Sequence, residues 1–72
     1  MYDTMKVMYG IADNLERILD EKGMSQKELC RLANLDRTGV NHYIMGQTVP
    51  SIKSMLNMCN ALGITVNEFL GV

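Results

Sequence analysis

The chain has 72 residues, of which 47% are hydrophobic, and a formal net charge of −1 at pH 7. A chain of this length is expected to make a single domain over residues 1–72 with a small core. Its function is therefore expected on the surface or between short helices, and an enzyme pocket is not expected. No apolar run is long enough to cross a membrane, and no basic segment followed by an apolar one opens the chain, so we expect a cytoplasmic protein.

The two cysteines, Cys30 and Cys59, each stand where a small apolar side chain suits a helix face. Neither has a His, an Asp or a second Cys at ligand spacing, so we expect two free thiols rather than a disulfide or a metal site. The sequence therefore predicts no metal and no cofactor.

The charge is unevenly distributed along the chain. Residues 1–22 hold three cationic and five acidic side chains, a net charge of −2, whereas residues 23–53 hold four cationic and two acidic ones, a net charge of +2. A surface that faces phosphate is therefore expected in the central stretch, although the overall charge is unfavourable for a nucleic-acid binder.

A first helix is predicted by apolar side chains at a 3.6-residue period: Val7, Ile11, Leu15, Ile18 and Leu19. Its start is left open between Gly10, a poor helix residue, and a cap at Asp3 or Thr4. Its end is predicted at Gly23, which suits the left-handed backbone that closes a helix.

A second helix is predicted to begin at Ser25, because Ser25 and Glu28 have the spacing of a capping box. Three side chains are expected to face the core, and three to face solvent: Leu29, Cys30 and Ala33 inside, and Gln26, Lys27 and Arg31 outside.

A tight turn is predicted at Asn34, which tolerates a left-handed backbone, with Leu35 returning to the core. Asp36 is expected to cap a third helix that Gly46 closes. The inward side chains of this helix are Val40, Tyr43 and Ile44. Its outward side chains are Arg37, Thr38, Asn41 and His42, with Met45 as a further candidate.

Two more helices follow the loop at residues 47–50. The first is capped by Ser51, ends at Gly63 and has an apolar stripe of Ile52, Met55, Met58, Cys59 and Leu62. The last is short and is capped by Thr65. The pattern contains no credible strand, so the expected fold class is all-α with five short helices.

Residues 22–29, together with Pro50-Ser51-Ile52 and residues 61–70, resemble the Cro/C1-type (XRE-like) helix-turn-helix DNA-binding proteins. The resemblance extends from about Ile11 to Leu70. It implies a lambda-repressor-like domain with a helix-turn-helix at about residues 25–45, in which helix 36–45 enters the major groove as the recognition helix.

The resemblance also implies roles for individual residues. Base-reading side chains would be Arg37 on guanine, Asn41 on adenine and the Thr38 methyl on thymine, with His42 donating to a base or a phosphate. The residues expected to position the DNA backbone are Gln26, Lys27, Gln47, Thr48 and Lys53. For Gln26 the resemblance implies either a phosphate contact or the bracing of a side chain on the recognition helix.

Two departures from the family pattern concern packing. Many members pair an Arg and a Glu where this chain has Leu19 and Ile44, so we expect an apolar contact between these two side chains. Gly39 lies inside the recognition helix, either as a tolerated glycine or as a way to approach the groove closely.

The resemblance implies that the partner is double-stranded DNA, bound at a palindromic operator by a homodimer. A second reading is a protein-interaction module, such as an antitoxin or a phage-derived factor, that uses the same scaffold. Met5, Met8 and Tyr9 would form its docking surface. An exposed patch that includes Leu56, Val66 or Leu70 would indicate a dimer contact.

Overall fold

The computed structural model describes residues 2–71, and these form five α-helices and no strand. The helices are α1 (Thr4–Lys22), α2 (Gln26–Ala33), α3 (Arg37–Ile44), α4 (Ile52–Leu62) and α5 (Val66–Leu70). This confirms the all-α fold class that the helical periodicity predicts. No helix among the described residues is long and apolar enough to span a bilayer.

The start of α1, left open by the sequence, lies at the upstream cap. The Asp3 carboxylate accepts hydrogen bonds from the backbone N–H groups of Met5 at 2.9 Å and Lys6 at 3.4 Å. Two otherwise orphaned donors are satisfied there, so the helix begins before Gly10 and includes it. At the other end, Gly23 has φ +61°, which confirms the predicted left-handed closure.

The caps around α2 and α3 differ in part from the predicted ones. The Ser25 hydroxyl accepts from the Glu28 N–H at 3.1 Å, but the Glu28 carboxylate pairs with Arg31, also at 3.1 Å, instead of returning to Ser25. The predicted capping box is therefore only half formed. Asp36 is the residue before α3 as expected, yet its side chain makes no capping hydrogen bond.

The caps of α4 and α5 confirm the sequence signals. Ser51 accepts from the Ser54 N–H at 3.2 Å, and Gly63 ends α4 with φ +68°. Thr65 and Glu68 form a complete capping box at the start of α5. The predicted α4 stripe is wrong at its first position, because the Ile52 side chain is 72% exposed.

A single hydrophobic core joins all five helices. Its buried members are Ile11, Leu15, Ile18, Leu19, Leu29, Cys30, Ala33, Val40, Met58, Cys59, Leu62 and Phe69. Phe69 is only 1% exposed and attaches α5, a helix of five residues that is too short to be stable without tertiary packing. In this core α1 packs against α3 and α5, while α2 packs against α3 and α4. The result is that α3 is held from two sides.

The sulfur-containing side chains occupy a range of depths. Both cysteines are free and buried, and burial raises the pKa of each thiol. Met58 is fully buried, whereas Met24 and Met55 are half-buried against the core. Met8, expected to be exposed, is half-buried as well. Among residues 2–71, no group of three His, Cys, Asp or Glu side chains is placed to hold a metal ion.

Candidate nucleic-acid interface

The α3 helix has two chemically different sides. Val40 is fully buried, and Tyr43 and Ile44 pack against the core beside it. The four side chains predicted to read bases are all exposed: Arg37, Thr38, Asn41 and His42. A helix with polar side chains on one face and a buried seam on the other is held in orientation by its core side.

The turn between α2 and α3 sets the position of α3. Asn34 adopts the left-handed conformation with φ 55°, as its residue type predicts. The Leu35 N–H donates to the Cys30 carbonyl at 2.9 Å, and the Leu35 side chain packs against the core. Together these contacts bring the start of α3 close to the inner side of α2.

Charged groups at the start of α3 affect the pKa of a thiol in α2. Burial raises the pKa of the Cys30 thiol, while the Arg37 guanidinium acts in the opposite direction and Asp36 adds to the rise. Both charged residues lie at the start of α3, so the α3 N-terminus lies within electrostatic reach of the middle of α2.

A hydrogen bond between side chains links one candidate residue of α2 to one of α3. The Gln26 side-chain Nε2 donates to the Asn41 Oδ1 at 3.5 Å, which joins the first residue of α2 to the exposed face of α3. At the C-cap of α3, the Met45 Sδ accepts a hydrogen bond from the Asn41 Nδ2 at 3.6 Å. The structure thus brings a predicted positioning residue and a predicted base-reading residue together.

The remaining positioning candidates are all exposed. Gln47 and Thr48 are exposed in the loop that follows α3, and Lys27 and Lys53 are exposed in the first turns of α2 and α4. A helix N-terminus favours anions because its free N–H groups and dipole point outward. Among the described residues, no hydrogen bond or ion pair connects Lys27 or Lys53 to the α3 side chains, so their place at the interface stays a prediction.

The end of α3 is built against α1. Gly46 is buried with φ +70°, and a side chain added there would lie 3.1 Å from Cδ1 of Tyr9. The glycine therefore satisfies both the left-handed backbone and the close approach of α1. The helix itself ends one residue earlier than expected, since Met45 is the cap and Gly46 follows it.

The cationic side chains are few, and some are already paired. Arg31 bonds Glu28 and Arg17 bonds Glu21, each in an exposed pair within one helix. Within residues 2–71, Lys27, Arg37 and Lys53 make no ion pair. They are the central cations that remain available to a polyanion.

The hydrogen bond between Asn41 and Met45 is not predicted from the sequence, in which Met45 is only a further candidate for the outward face of the helix. The spacing of four residues could have predicted it, because side chains at i and i+4 are neighbours on a helix surface. Met45 is 61% exposed and lies one turn beyond Asn41 on the same face.

An exposed polar helix that a tight turn fixes against a companion helix is the arrangement of a helix-turn-helix protein. The helix-turn-helix family model matches residues 15–69 of the chain. The chain therefore belongs to this family, which is of the Cro/C1 type and is a family of DNA-binding transcriptional regulators.

Solved structures give the same result. The restriction-modification controller protein C.AhdI from Aeromonas hydrophila is 31% identical with a TM-score of 0.81, over 86% of this chain and 94% of that one. The hypothetical transcription factor NHTF from Neisseria is 29% identical with a TM-score of 0.84, over 94% of this chain and 76% of that one.

A third similar structure is a point mutant of the restriction-modification controller protein C.Esp1396I. It is 26% identical with a TM-score of 0.79, over 90% of this chain and 82% of that one. A search of curated proteins found no match. The family and the structural neighbours together support a regulator that binds DNA.

Proposed function

We propose that the protein is a sequence-specific transcriptional regulator that reads the major groove of double-stranded DNA through α3. The observation that carries this proposal is the exposed polar face of α3, which lies opposite a buried Val40. An α-helix fits the major groove, where each base pair presents a distinct pattern of donors and acceptors.

The base-reading roles follow from the chemistry of the four side chains. Arg37 donates through two N–H groups to the O6 and N7 of guanine, and Asn41 forms a bidentate pair with adenine. The Thr38 methyl packs on the methyl group of thymine. His42 donates to a base edge or to a phosphate.

The positioning residues set the register of α3 on the duplex without reading sequence. Gln26 and Lys27 begin α2 and Lys53 lies in the first turn of α4, so all three stand at helix N-termini that favour phosphate. Gln47 and Thr48 offer polar groups in the loop after α3. Since few cations are involved, the salt dependence of binding is expected to be modest.

We further propose that the protein acts in the cytoplasm as a homodimer on a palindromic operator. One domain of this type contacts a short half-site, and relatives of the helix-turn-helix class gain specificity from two half-sites about 34 Å apart. The likeness to two controller proteins supports a regulatory role.

The test is a titration of the protein against random and palindromic duplexes at several salt concentrations. The logarithm of the binding constant should fall with the logarithm of salt by about 0.9 per neutralised phosphate. For Lys27 and Lys53, the two unpaired cations proposed to contact phosphate, this gives a slope of roughly −2 per domain. Failure to bind any duplex at low salt and micromolar protein contradicts the proposal.

Two single substitutions separate reading from positioning. Arg37→Ala should remove the preference at one base position, at a cost of about 1 to 3 kcal/mol on the preferred duplex. Lys53→Ala should weaken all duplexes about equally and should reduce the salt slope by about 1. Both side chains are exposed, so neither change is expected to affect folding.

A second candidate function is a protein-interaction module on the same scaffold, such as an antitoxin. The observation that favours it is the exposure of Met5 and Tyr9, at 57% and 51%, one turn apart on α1. Binding to a protein partner that Met5→Lys and Tyr9→Lys abolish, without any binding to DNA, would favour this candidate.

A further inference from the structure

Asn41 is a proposed base-reading side chain whose amide has a hydrogen-bond partner at each of its two polar ends. Its Oδ1 accepts from the Gln26 Nε2 at 3.5 Å, and its Nδ2 donates to the Met45 Sδ at 3.6 Å. The two contacts come from opposite directions along the chain, one from the first residue of α2 and one from Met45, the C-cap residue after α3. They distinguish the oxygen end of the amide from the nitrogen end.

We infer that Met45 is a positioning residue that, together with Gln26, holds the Asn41 amide in the orientation needed to read adenine. The inference deepens the proposed function and rests on it, because it assigns a specificity role to a side chain beside a proposed reader. Met45 is not itself proposed to contact a base.

The hydrogen-bonding capacity of Asn41 permits both tasks at once. A side-chain amide carries two N–H donors and an oxygen with two acceptor sites. The protein uses one donor, toward Met45, and one acceptor site, toward Gln26. One donor and one acceptor site remain, which is the pair that a bidentate contact to adenine N7 and N6 requires.

The location of Met45 fits this role better than a role in packing. The side chain is 61% exposed and lies four residues after Asn41, hence one turn further along the same face. A thioether is a weak acceptor, so the bond biases the amide without competing strongly with a base. A fixed orientation matters because a flipped amide would present a donor where adenine also presents a donor.

The experiment compares Met45→Leu with Met45→Gln. Leucine keeps apolar bulk but removes the acceptor, whereas glutamine supplies an acceptor oxygen. The base position read by Asn41 is first located with Asn41→Ala, as the position at which that variant loses its preference. Competition duplexes carrying each of the four bases at this position then measure the preference of every variant.

Met45→Leu is expected to lower the adenine preference at this position by roughly two- to fivefold, the effect of losing one weak hydrogen bond. Met45→Gln is expected to retain the preference. In an Asn41→Ala background, Met45→Leu should have no effect at this position, since the coupling runs through Asn41. Thermal unfolding of each variant provides the stability control, and a purely structural role would shift it without changing base preference.

A second measurement needs no DNA. In the free protein, proton NMR should show a nuclear Overhauser contact between the Asn41 side-chain amide and the Met45 methyl group. Coupling constants should report a single Asn41 rotamer that becomes averaged in Met45→Leu.

Unchanged base preference in Met45→Leu, or an averaged Asn41 rotamer in the original protein, overturns the inference. If the original protein binds no duplex, the proposed function fails and the reading role fails with it, while the NMR result still decides whether Met45 holds the amide. If the protein reads DNA but Met45→Leu reads it equally well, only the inference fails.

Discussion

Gly39 offers a test of how α3 is built, because a methyl group can be added to it with little steric consequence. A Cβ at this position would meet only the Tyr43 hydroxyl oxygen, at 3.9 Å, which is an ordinary van der Waals distance. The residue lies inside a helix and its φ is not positive. Gly39→Ala should therefore relieve the entropic cost of glycine without introducing strain.

The expected gain is about 0.5 to 1 kcal/mol in the free energy of unfolding, the usual difference between glycine and alanine inside a helix. For a domain of this size, 1 kcal/mol shifts the thermal midpoint by about 4 to 8 °C, so the shift should be roughly 2 to 8 °C. Urea unfolding and thermal unfolding, both followed by circular dichroism, measure these two quantities.

Gly23→Ala is the matched control. A Cβ at Gly23 would meet nothing within 4 Å, so space is not limiting there, but its φ of +61° disfavours any L side chain. The same chemical change should therefore lower stability by about 1 kcal/mol or more. A loss of stability in Gly39→Ala, or equal effects at the two positions, would refute the reasoning.

The same variant decides between the two readings of Gly39. If the glycine is merely tolerated, Gly39→Ala should bind a preferred duplex with undiminished affinity at the same salt concentration. If the helix must approach the groove closely at this point, the added methyl should reduce affinity although the protein is more stable. The two outcomes require the DNA titration and the unfolding curve from the same preparation.

Two further predictions concern the core. Ile44 packs against the core cluster that contains Leu19. Ile44→Glu should lower the free energy of unfolding because it places a carboxylate without a partner in a partly buried site. The loss should exceed that of Ile44→Val, a change that usually costs about 0.5 to 1.5 kcal/mol. If the two side chains touch as predicted, the double variant Leu19→Arg/Ile44→Glu should recover part of the lost unfolding free energy. Strictly additive losses in urea unfolding would contradict that contact. Burial raises the pKa of the Cys30 and Cys59 thiols, so the folded protein keeps both protonated where the unfolded chain ionises. The free energy of unfolding should not depend on these thiols below roughly pH 8.5 and should fall as the pH rises further. Thiol reagents should react much faster with the protein in urea than in buffer, and rapid labelling of the folded protein would contradict the burial of the two thiols.

The scarcity of cations distinguishes this chain from a strongly basic DNA binder. Only Lys27, Arg37 and Lys53 are unpaired cations in the central stretch of the described chain, and residues 1–22 are net acidic. Under the proposed function, specific hydrogen bonds then contribute a larger share of the binding free energy than in a strongly basic binder, so affinity should depend more on the proposed base contacts of Arg37 and Asn41.

The sequence by itself determined the local structure of this protein. Gly23, Asn34, Gly63 and Thr65 terminate or cap their helices as their residue types predict. Each of these signals depends on backbone bonds within about four residues, so no knowledge of distant parts of the chain is needed. The outward face of α3 was predictable for the same reason, because helical periodicity separates it from Val40.

Only the tertiary structure decided those burials and contacts for which the local sequence allows several alternatives of similar energy. Ile52 fits the helical stripe of α4, yet it is 72% exposed and takes no part in the core cluster. The resemblance implies that Gln26 binds a phosphate or braces a side chain of the recognition helix, but only the structure identifies Asn41, fifteen positions away on another helix, as its partner. Sequence spacing does not encode such a contact, because the packing of α2 against α3 sets its distance and direction.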